Sequence, residues 1–570
     1  MGSDTLIDAN WLDYLLVAIY FGFVLGIGVM ARRSVSDSID FFLSGRSLPA
    51  WVTGLAFISA NLGAVEIMGM SANGAEIGLP TVHYFWVGAV PAMLFLGVVM
   101  MPFYYGSKVR SVPEFMLRRF GTGAHLVNAI SFAVAQLLIA GVNLALLAGI
   151  VSALLGWPIW IALIVAGVIV LSYITLGGLS AAIYNEVLQF FVIVAALAPL
   201  TLIGLNRVGG WDGLTDKITA AADGAPVDAG VPPAEQQLES WPGQALAGFD
   251  SELLSVIGIV FGLGFVLSFG YWTTNFVEVQ RAMASNSISA ARRTPIIGAF
   301  PKMFVPFIVI VPGMISAVLV AEMVELKNGG TPSGGAAGDV TYNDALLLLM
   351  RDVLPNGLLG LAIAGLLAAF MAGMAANISA FNTVFSYDLW QRYIRKDHDD
   401  DYYLRVGRLA TVAATVIAIF TAQIALGYDN VMNYLQTLFG FFNAPLFATF
   451  ILGMFWKRMT PTAGWVGLVF GTLSAVAVDR LAAAGVFELP GQGVAFLAAS
   501  TAFVVDIVLS VLVTLVTKPK PASELKGLVW SETPREDLVD PDEAAMPWYQ
   551  RTIPLAGVAL AMVIVLNVAF

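Results

Sequence analysis

The chain has 570 residues, 58% of them hydrophobic and only 12% charged, where soluble domains carry about a quarter charged residues; with a mean hydropathy of +0.82 this excludes an ordinary soluble protein and marks a polytopic membrane protein. It has no cysteine and three scattered histidines, His83, His125 and His398, which excludes a disulfide framework, a thiol nucleophile and a cysteine metal site, and speaks against a histidine metal cluster. The net charge of −11 points to no partner, because the acids sit mostly in loops.

A helix needs about 20 apolar residues to cross the hydrocarbon core. The sequence predicts fourteen such segments: 12–32, 50–76, 81–105, 122–152, 156–178, 180–206, 251–281, 294–324, 357–391, 403–427, 430–456, 462–482, 491–516 and 549–570. The first follows an acidic N-terminus rather than the basic start of a signal peptide, and reads as a retained helix. The second holds ISANLGAVEIMGM, Ile58–Met70, with Asn61, Gly63 and Glu66 near mid-span. Irregular backbone at membrane depth survives only where protein or a cavity surrounds it. An intramembrane ionisable residue is functional by default. This segment is therefore predicted to be a broken helix lining a site.

The third segment carries the aromatic run Tyr84, Phe85 and Trp86. In the sixth, Glu186 and Gln189 share a helix face and read equally as a packing cluster or a cation path. The seventh holds LSFGYW, Leu267–Trp272, predicted as a second break, with Tyr271 and Trp272 placed for stacking or gating. Glu278 is expected to pair locally with Arg281. In the eighth, Lys302 lies among prolines, too far from either end to snorkel, and reads as functional. Asp506, in the thirteenth, reads as structural. No loop is long enough to bury a core of its own.

The two predicted breaks lie five helices apart, as a five-plus-five inverted repeat would place them around a midplane binding site. Charge asymmetry supports the helix count. Of the 28 lysines and arginines, five (Arg207, Lys217, Lys327, Arg351 and Arg480) fall in one set of alternate loops and Lys302 falls within a span; the other 22 fall in the opposite set. Cytoplasmic loops are the basic ones, so both termini are expected outside a plasma (cell inner) membrane. The expected division is an N-terminal helix and cytoplasmic loop (1–49), a first repeat (50–206), an external loop (207–250), a second repeat (251–456), and C-terminal helices (457–570) with a cytoplasmic linker (517–548).

Several stretches resemble the sodium:solute symporter family, which includes the sodium/glucose cotransporters. They are DFFLSGRSLPAW at Asp40–Trp51, SANLGAVEIMGMSANG at Ser59–Gly74, TLGGLSAAIYNEVLQFF at Thr175–Phe191, YWTTNFVEVQRAMA at Tyr271–Ala284 and ILGMFWKRMTPTAG at Ile451–Gly464. The resemblance implies an all-α, LeuT-like core of two inverted five-helix repeats with two discontinuous helices, and alternating access driven by sodium. Carried over by position, it implies solute contacts at Asn61, Lys302 and Gln436, an inner aromatic platform at Tyr271 and Trp272, and outer gates at Met70 and Tyr84. Four positions depart from the sugar-transporting pattern. Glu66 stands where a neutral polar residue is usual, Phe85 where a sugar-binding glutamate is usual, and Gly88 and Ser268 replace a serine and an asparagine. A carboxylate at Glu66 raises the alternative of a cationic or amine-bearing solute.

The family's sodium site corresponds to the carbonyls of Ser59, Leu62 and Ala369. Ala372 and Gly373 stand where two hydroxyls should be, within LLAAFMAGMAANISAF at Leu366–Phe381. Glu186 keeps the acidic position on the family's ion path. A hard cation wants several oxygen ligands, so proton coupling through Glu66 or Glu186, or uncoupled transport, stands beside Na+ coupling. The expected partners are a small polar solute, sugar-like first, and the lipid bilayer, with no nucleic acid. A channel would show a charged ring or repeated filter, and an intramembrane enzyme a motif such as His-Glu-x-x-His; neither is present.

Overall fold

The computed structural model describes residues 6–32, 47–63, 65–106, 109, 111–226, 229–336, 338–538 and 540–570, with backbone only at 25, 28, 29, 31, 32, 106, 172–181, 400, 537 and 542. Residues 40–46 of the DFFLSGRSLPAW motif lie outside the described residues, as do the side chains that open the Thr175–Phe191 motif. The described chain is helical almost throughout. Its one sheet among the described residues is a two-stranded hairpin, Ser333–Gly335 with Gly338–Asp339, in the glycine-rich loop.

Sixteen helices carry the architecture: α1 Trp11–Arg32, α2 Ala50–Asn61, α3 Val65–Glu76, α4 Leu79–Tyr105, α5 Val112–Phe120, α6 Thr122–Leu155, α7 Ile159–Val208, α8 Glu252–Thr274, α9 Phe276–Met283, α10 Ile288–Leu319, α11 Leu358–Ile394, α12 Asp400–Ala425, α13 Val431–Phe455, α14 Pro461–Ala483, α15 Gly493–Val516 and α16 Thr552–Ala569. Among the described residues, eleven stretches are long and apolar enough to cross a membrane, and α2 with α3 make a twelfth as one span bent by 55°. Segment 12–32 of the sequence reading is α1, a helix of 22 residues, and 156–178 falls, from residue 159, in the first half of α7. The boundary expected between 178 and 180 is not a loop. α7 runs helical for 50 residues, Ile159–Val208: Gly177-Gly178 and Ser180 weaken a helix without ending it, and no proline stands there to remove a backbone donor.

The first break is where the sequence places it. α2 ends at Asn61, Leu62 leaves helical geometry (ψ 45°) with its N–H on the Ile58 carbonyl, and α3 restarts in wide π-type turns over Val65–Gly69. π-type turns occur mostly at functional positions. The second break is displaced from LSFGYW. Leu267–Trp272 stays helical and the chain opens at Asn275, between α8 and α9. The Thr-Thr-Asn run explains this. Thr273 and Thr274 hydroxyls donate to the Phe269 and Gly270 carbonyls at 2.5 and 2.6 Å. The Asn275 side chain accepts from the Val277 N–H at 3.0 Å, capping α9.

The broken helix is clamped by α10, whose four internal prolines open its backbone. Such openings are tolerated when neighbours supply partners. Here Trp86 Nε1 donates to the Met303 carbonyl at 2.9 Å and Ser71 Oγ to the Val309 carbonyl at 2.5 Å. α3 and α10 approach so closely that a Cβ on Gly313 would land on the Ser71 carbonyl, and one on Gly74 on the Ile310 carbonyl. Small residues let membrane helices cross this tightly. Gly313→Ala is expected to destabilise by roughly 1–3 kcal/mol through overpacking against backbone that cannot move aside. Thermal unfolding of the purified protein in detergent checks it, and an unchanged midpoint would contradict the crossing.

Candidate functional site

The two breaks, α4, α10 and α13 enclose a cavity of about 100 Å³. All eight sequence-expected solute positions line it: Asn61, Glu66, Phe85, Ser268, Tyr271, Trp272, Lys302 and Gln436. The expected gates Met70 and Tyr84 line it too, and the Tyr84 hydroxyl is buried without a partner.

Its centre is a chain of polar groups. Lys302 Nζ, 1% exposed as a residue, donates to Glu66 Oε1 and Asn61 Oδ1. Asn61 Nδ2 donates to the Tyr271 hydroxyl at 3.1 Å, and that hydroxyl donates to Glu278 Oε1 at 2.8 Å. The ammonium lies 4.8 Å from the Phe85 ring centroid and 5.1 Å from that of Trp272, within cation–π range. Below, the Tyr271 ring meets Phe439 at 4.7 Å and stands edge-on to Trp272 at 5.4 Å. Gln436 makes only a weak contact, 3.7 Å to Met432 Sδ, which leaves its amide able to bind a ligand. Gly88 and Ser268 are a matched pair, since a Cβ on Gly88 would fall on Ser268 Oγ.

One expectation, the local Glu278–Arg281 pair, is corrected, and Glu66 and Glu186 prove to have partners. Glu66 does not present a free negative charge to a cationic solute, because Lys302 answers it. Glu278 does not pair with Arg281; its Oε1 holds Tyr271 and its Oε2 is buried without a partner. Arg281 binds Glu186 instead, at 2.6 and 3.3 Å to the two carboxylate oxygens, with both side chains at most 1% exposed. Glu186, expected on an ion path, is thereby engaged, and Gln189 turns to the Tyr20 hydroxyl at 3.2 Å.

The sodium positions of the sequence reading come together where α2 ends. Among the described residues no backbone N–H reaches the carbonyls of Ser59 or Leu62. The free carbonyls of a helix C-terminus carry partial negative charge. A Cβ built on Gly63 would lie 3.2 Å from Gly373 Cα and 3.7 Å from the Ala369 carbonyl oxygen, so α11 presses on the break. Ala372 is buried beside them. Among the described residues no group of His, Asp and Glu is arranged to hold a metal; any cation here meets neutral oxygens.

Asn143, Asn275, Asn377 and Phe439 also line the cavity and were missed in the sequence. Asn143, alone within the apolar run of α6, and Asn377, one turn past Gly373, carried a signal as uncharged polar residues at span depth.

The profile of the sodium:solute symporter family matches residues 41–471. The chain is 27% identical to a sodium/glucose cotransporter of Vibrio parahaemolyticus over 81% of this chain and 83% of that one. It is 27% identical to sodium/glucose cotransporter 1 of Oryctolagus cuniculus, over 94% and 83%. It is 29% identical to sodium/myo-inositol cotransporter 2 of the same species, over 81% and 68%. A solved Na+-coupled sialic acid symporter, 19% identical, superposes with a TM-score of 0.70 over 90% of this chain and 99% of that one, a likeness of fold.

Proposed function

Because the chain belongs to the sodium:solute symporter family, we propose that it moves a small, uncharged, sugar-like polyhydroxy solute across the plasma membrane by alternating access coupled to Na+. The observation that carries the solute class is the paired charge of the cavity. Lys302 and Glu66 neutralise each other, and a buried unpaired charge costs several kcal/mol, so a charged solute has no counter-ion waiting for it. Asn61, Gln436 and the rim of the Lys302–Glu66 pair offer donors and acceptors to hydroxyls, while Trp272 and Tyr271 offer ring faces. The relatives are named for glucose and myo-inositol, both polyhydroxy solutes.

In the proposed cycle, Na+ at the end of α2 favours the outward-open state. Solute then binds, Met70 and Tyr84 close above it, and Tyr271 with Phe439 moves aside below. A ligand shifts such an equilibrium only by its differential affinity for the two states. The proposed frame is two inverted repeats, 50–206 and 251–456, within fourteen crossings and with both termini outside. A second reading, proton coupling, rests on Glu278, whose buried Oε2 has no partner at the second break.

Uptake of labelled hexoses, inositol, amines and organic acids into proteoliposomes tests the reading, with an imposed Na+ gradient set against an imposed proton gradient. Sodium-driven accumulation of a neutral polyol is expected. Accumulation of an amine or acid would overturn the solute class, and drive by protons alone would move coupling to Glu278. Asn61→Ala is expected to weaken solute binding about 10–100-fold, because each polar contact left unmade costs about 1–3 kcal/mol. Binding at wild-type strength would remove Asn61 from the site.

A further inference from the structure

We propose that the side-chain amide oxygen of Asn143, on α6, is a ligand for the coupling Na+, standing in for the hydroxyls that Ala372 and Gly373 do not carry. This rests on the sodium-coupled reading above.

Asn143 has its orientation set by a hydrogen bond. Its Nδ2 donates to the Ile139 carbonyl at 3.1 Å, one turn back on its own helix. Its Oδ1 is thereby turned outward, is buried, and has no hydrogen-bond partner. A buried carbonyl oxygen left unsatisfied is unfavourable, and such atoms call for an explanation. This one points at the end of α2. The position of a Cβ on Gly63 lies 3.5 Å from Asn143 Oδ1 and 3.7 Å from the Ala369 carbonyl oxygen. The carbonyls of Ser59 and Leu62 come from the same turn of chain and receive no backbone N–H among the described residues. Ser59 Oγ is also buried and unpartnered. The unpartnered oxygens of Asn143 on α6 and of Ser59 and Leu62 at the end of α2 lie beside the Ala369 carbonyl of α11; the Ser59 hydroxyl can turn its proton away and offer lone pairs, so the set suits a cation.

The glycine at 373 fits this arrangement. A Cβ there would lie 2.8 Å from Asn143 Oδ1, closer than side-chain carbons come to oxygen. The amide oxygen therefore occupies the volume that a serine at 373 would need. Either α11 supplies a hydroxyl or α6 supplies an amide oxygen, but the space does not admit both without displacement. Amide oxygens are ordinary ligands for hard cations. A set made only of neutral oxygens suits a monovalent ion, because a divalent ion draws carboxylates.

The test is the thermal unfolding midpoint of the purified full-length protein in detergent, titrated with NaCl against choline chloride at constant ionic strength. A ligand that binds only the folded state raises the midpoint saturably. Wild type is expected to show a saturable Na+ response. Asn143→Leu is expected to need at least tenfold more Na+ for the same rise, and Asn143→Ala/Gly373→Ser to recover most of the wild-type response. A wild-type Na+ response in Asn143→Leu would overturn the proposal. Should that variant not fold, Asn143→Ala and the double variant decide in its place: equal Na+ dependence in the two, with Asn143→Ala like wild type, would overturn it as well. Absence of any Na+ response in wild type would instead overturn the sodium reading on which the proposal rests.

Discussion

Lys302→Met is expected to abolish solute uptake and to destabilise the protein by about 3–5 kcal/mol, the usual cost of removing one partner of a buried pair. The lysine is 1% exposed, in the middle of α10, and its ammonium is enclosed by Glu66, Asn61 and the rings of Phe85 and Trp272. Without it, Glu66 is a buried carboxylate with no counter-charge. The variant alone cannot separate a binding role from a folding role. Lys302→Met/Glu66→Gln removes both charges, and is expected to recover most of the stability while uptake stays lost, since Asn61 Oδ1 still lacks its donor. Thermal unfolding and uptake measured on the same preparations check this. Uptake near wild type in the double variant would show that the pair is only a structural element of the cavity wall.

Arg281→Met is expected to be as damaging to stability, for a different reason. Arg281 begins the chain's exit from the second break, and its guanidinium holds Glu186 on α7, the Val277 carbonyl at 3.0 Å and Gln280 Oε1 at 3.2 Å. It therefore joins α9, the segment next to the inner platform, to the long helix that packs on α11. Glu186→Gln leaves the guanidinium buried without its counter-charge, and Arg281→Met leaves the carboxylate so. Groups in direct contact show coupling of about 0.5–3 kcal/mol in a double-mutant cycle. The expected result is that Arg281→Met/Glu186→Gln is more stable than either single variant. Strictly additive losses would mean that the two side chains do not act as a pair.

The membrane architecture was legible because its physics is local. Long apolar runs form helices in lipid whatever surrounds them, and a glycine or carboxylate in mid-run marks a break, as at Asn61-Leu62-Gly63. Segment boundaries were less legible. The Gly177-Gly178 pair and Ser180 read as a boundary, yet α7 continues through them, because glycine weakens a helix without breaking it and no proline is there to do so. The second break fell at Asn275 rather than Leu267–Trp272, because hydroxyl and amide side chains at 273–275 satisfy the opened backbone, whereas in SFGYW the Tyr271 hydroxyl is committed to Glu278.

The sequence by itself determined the membrane class and the family resemblance, and through that resemblance ten of the cavity's lining positions, because residue type and spacing along single helices carry that information. Only the tertiary structure decided which charges meet. Lys302 and Glu66 are 236 residues apart and Arg281 and Glu186 are 95 apart, and the nearer candidate, Glu278 for Arg281, lost to the farther one. The same holds for Asn143, whose unsatisfied oxygen has meaning only beside Gly63 and Gly373. Burial removes water as a partner, so each polar group takes whichever partner the packing of other helices brings within reach, and a linear pattern does not encode that packing.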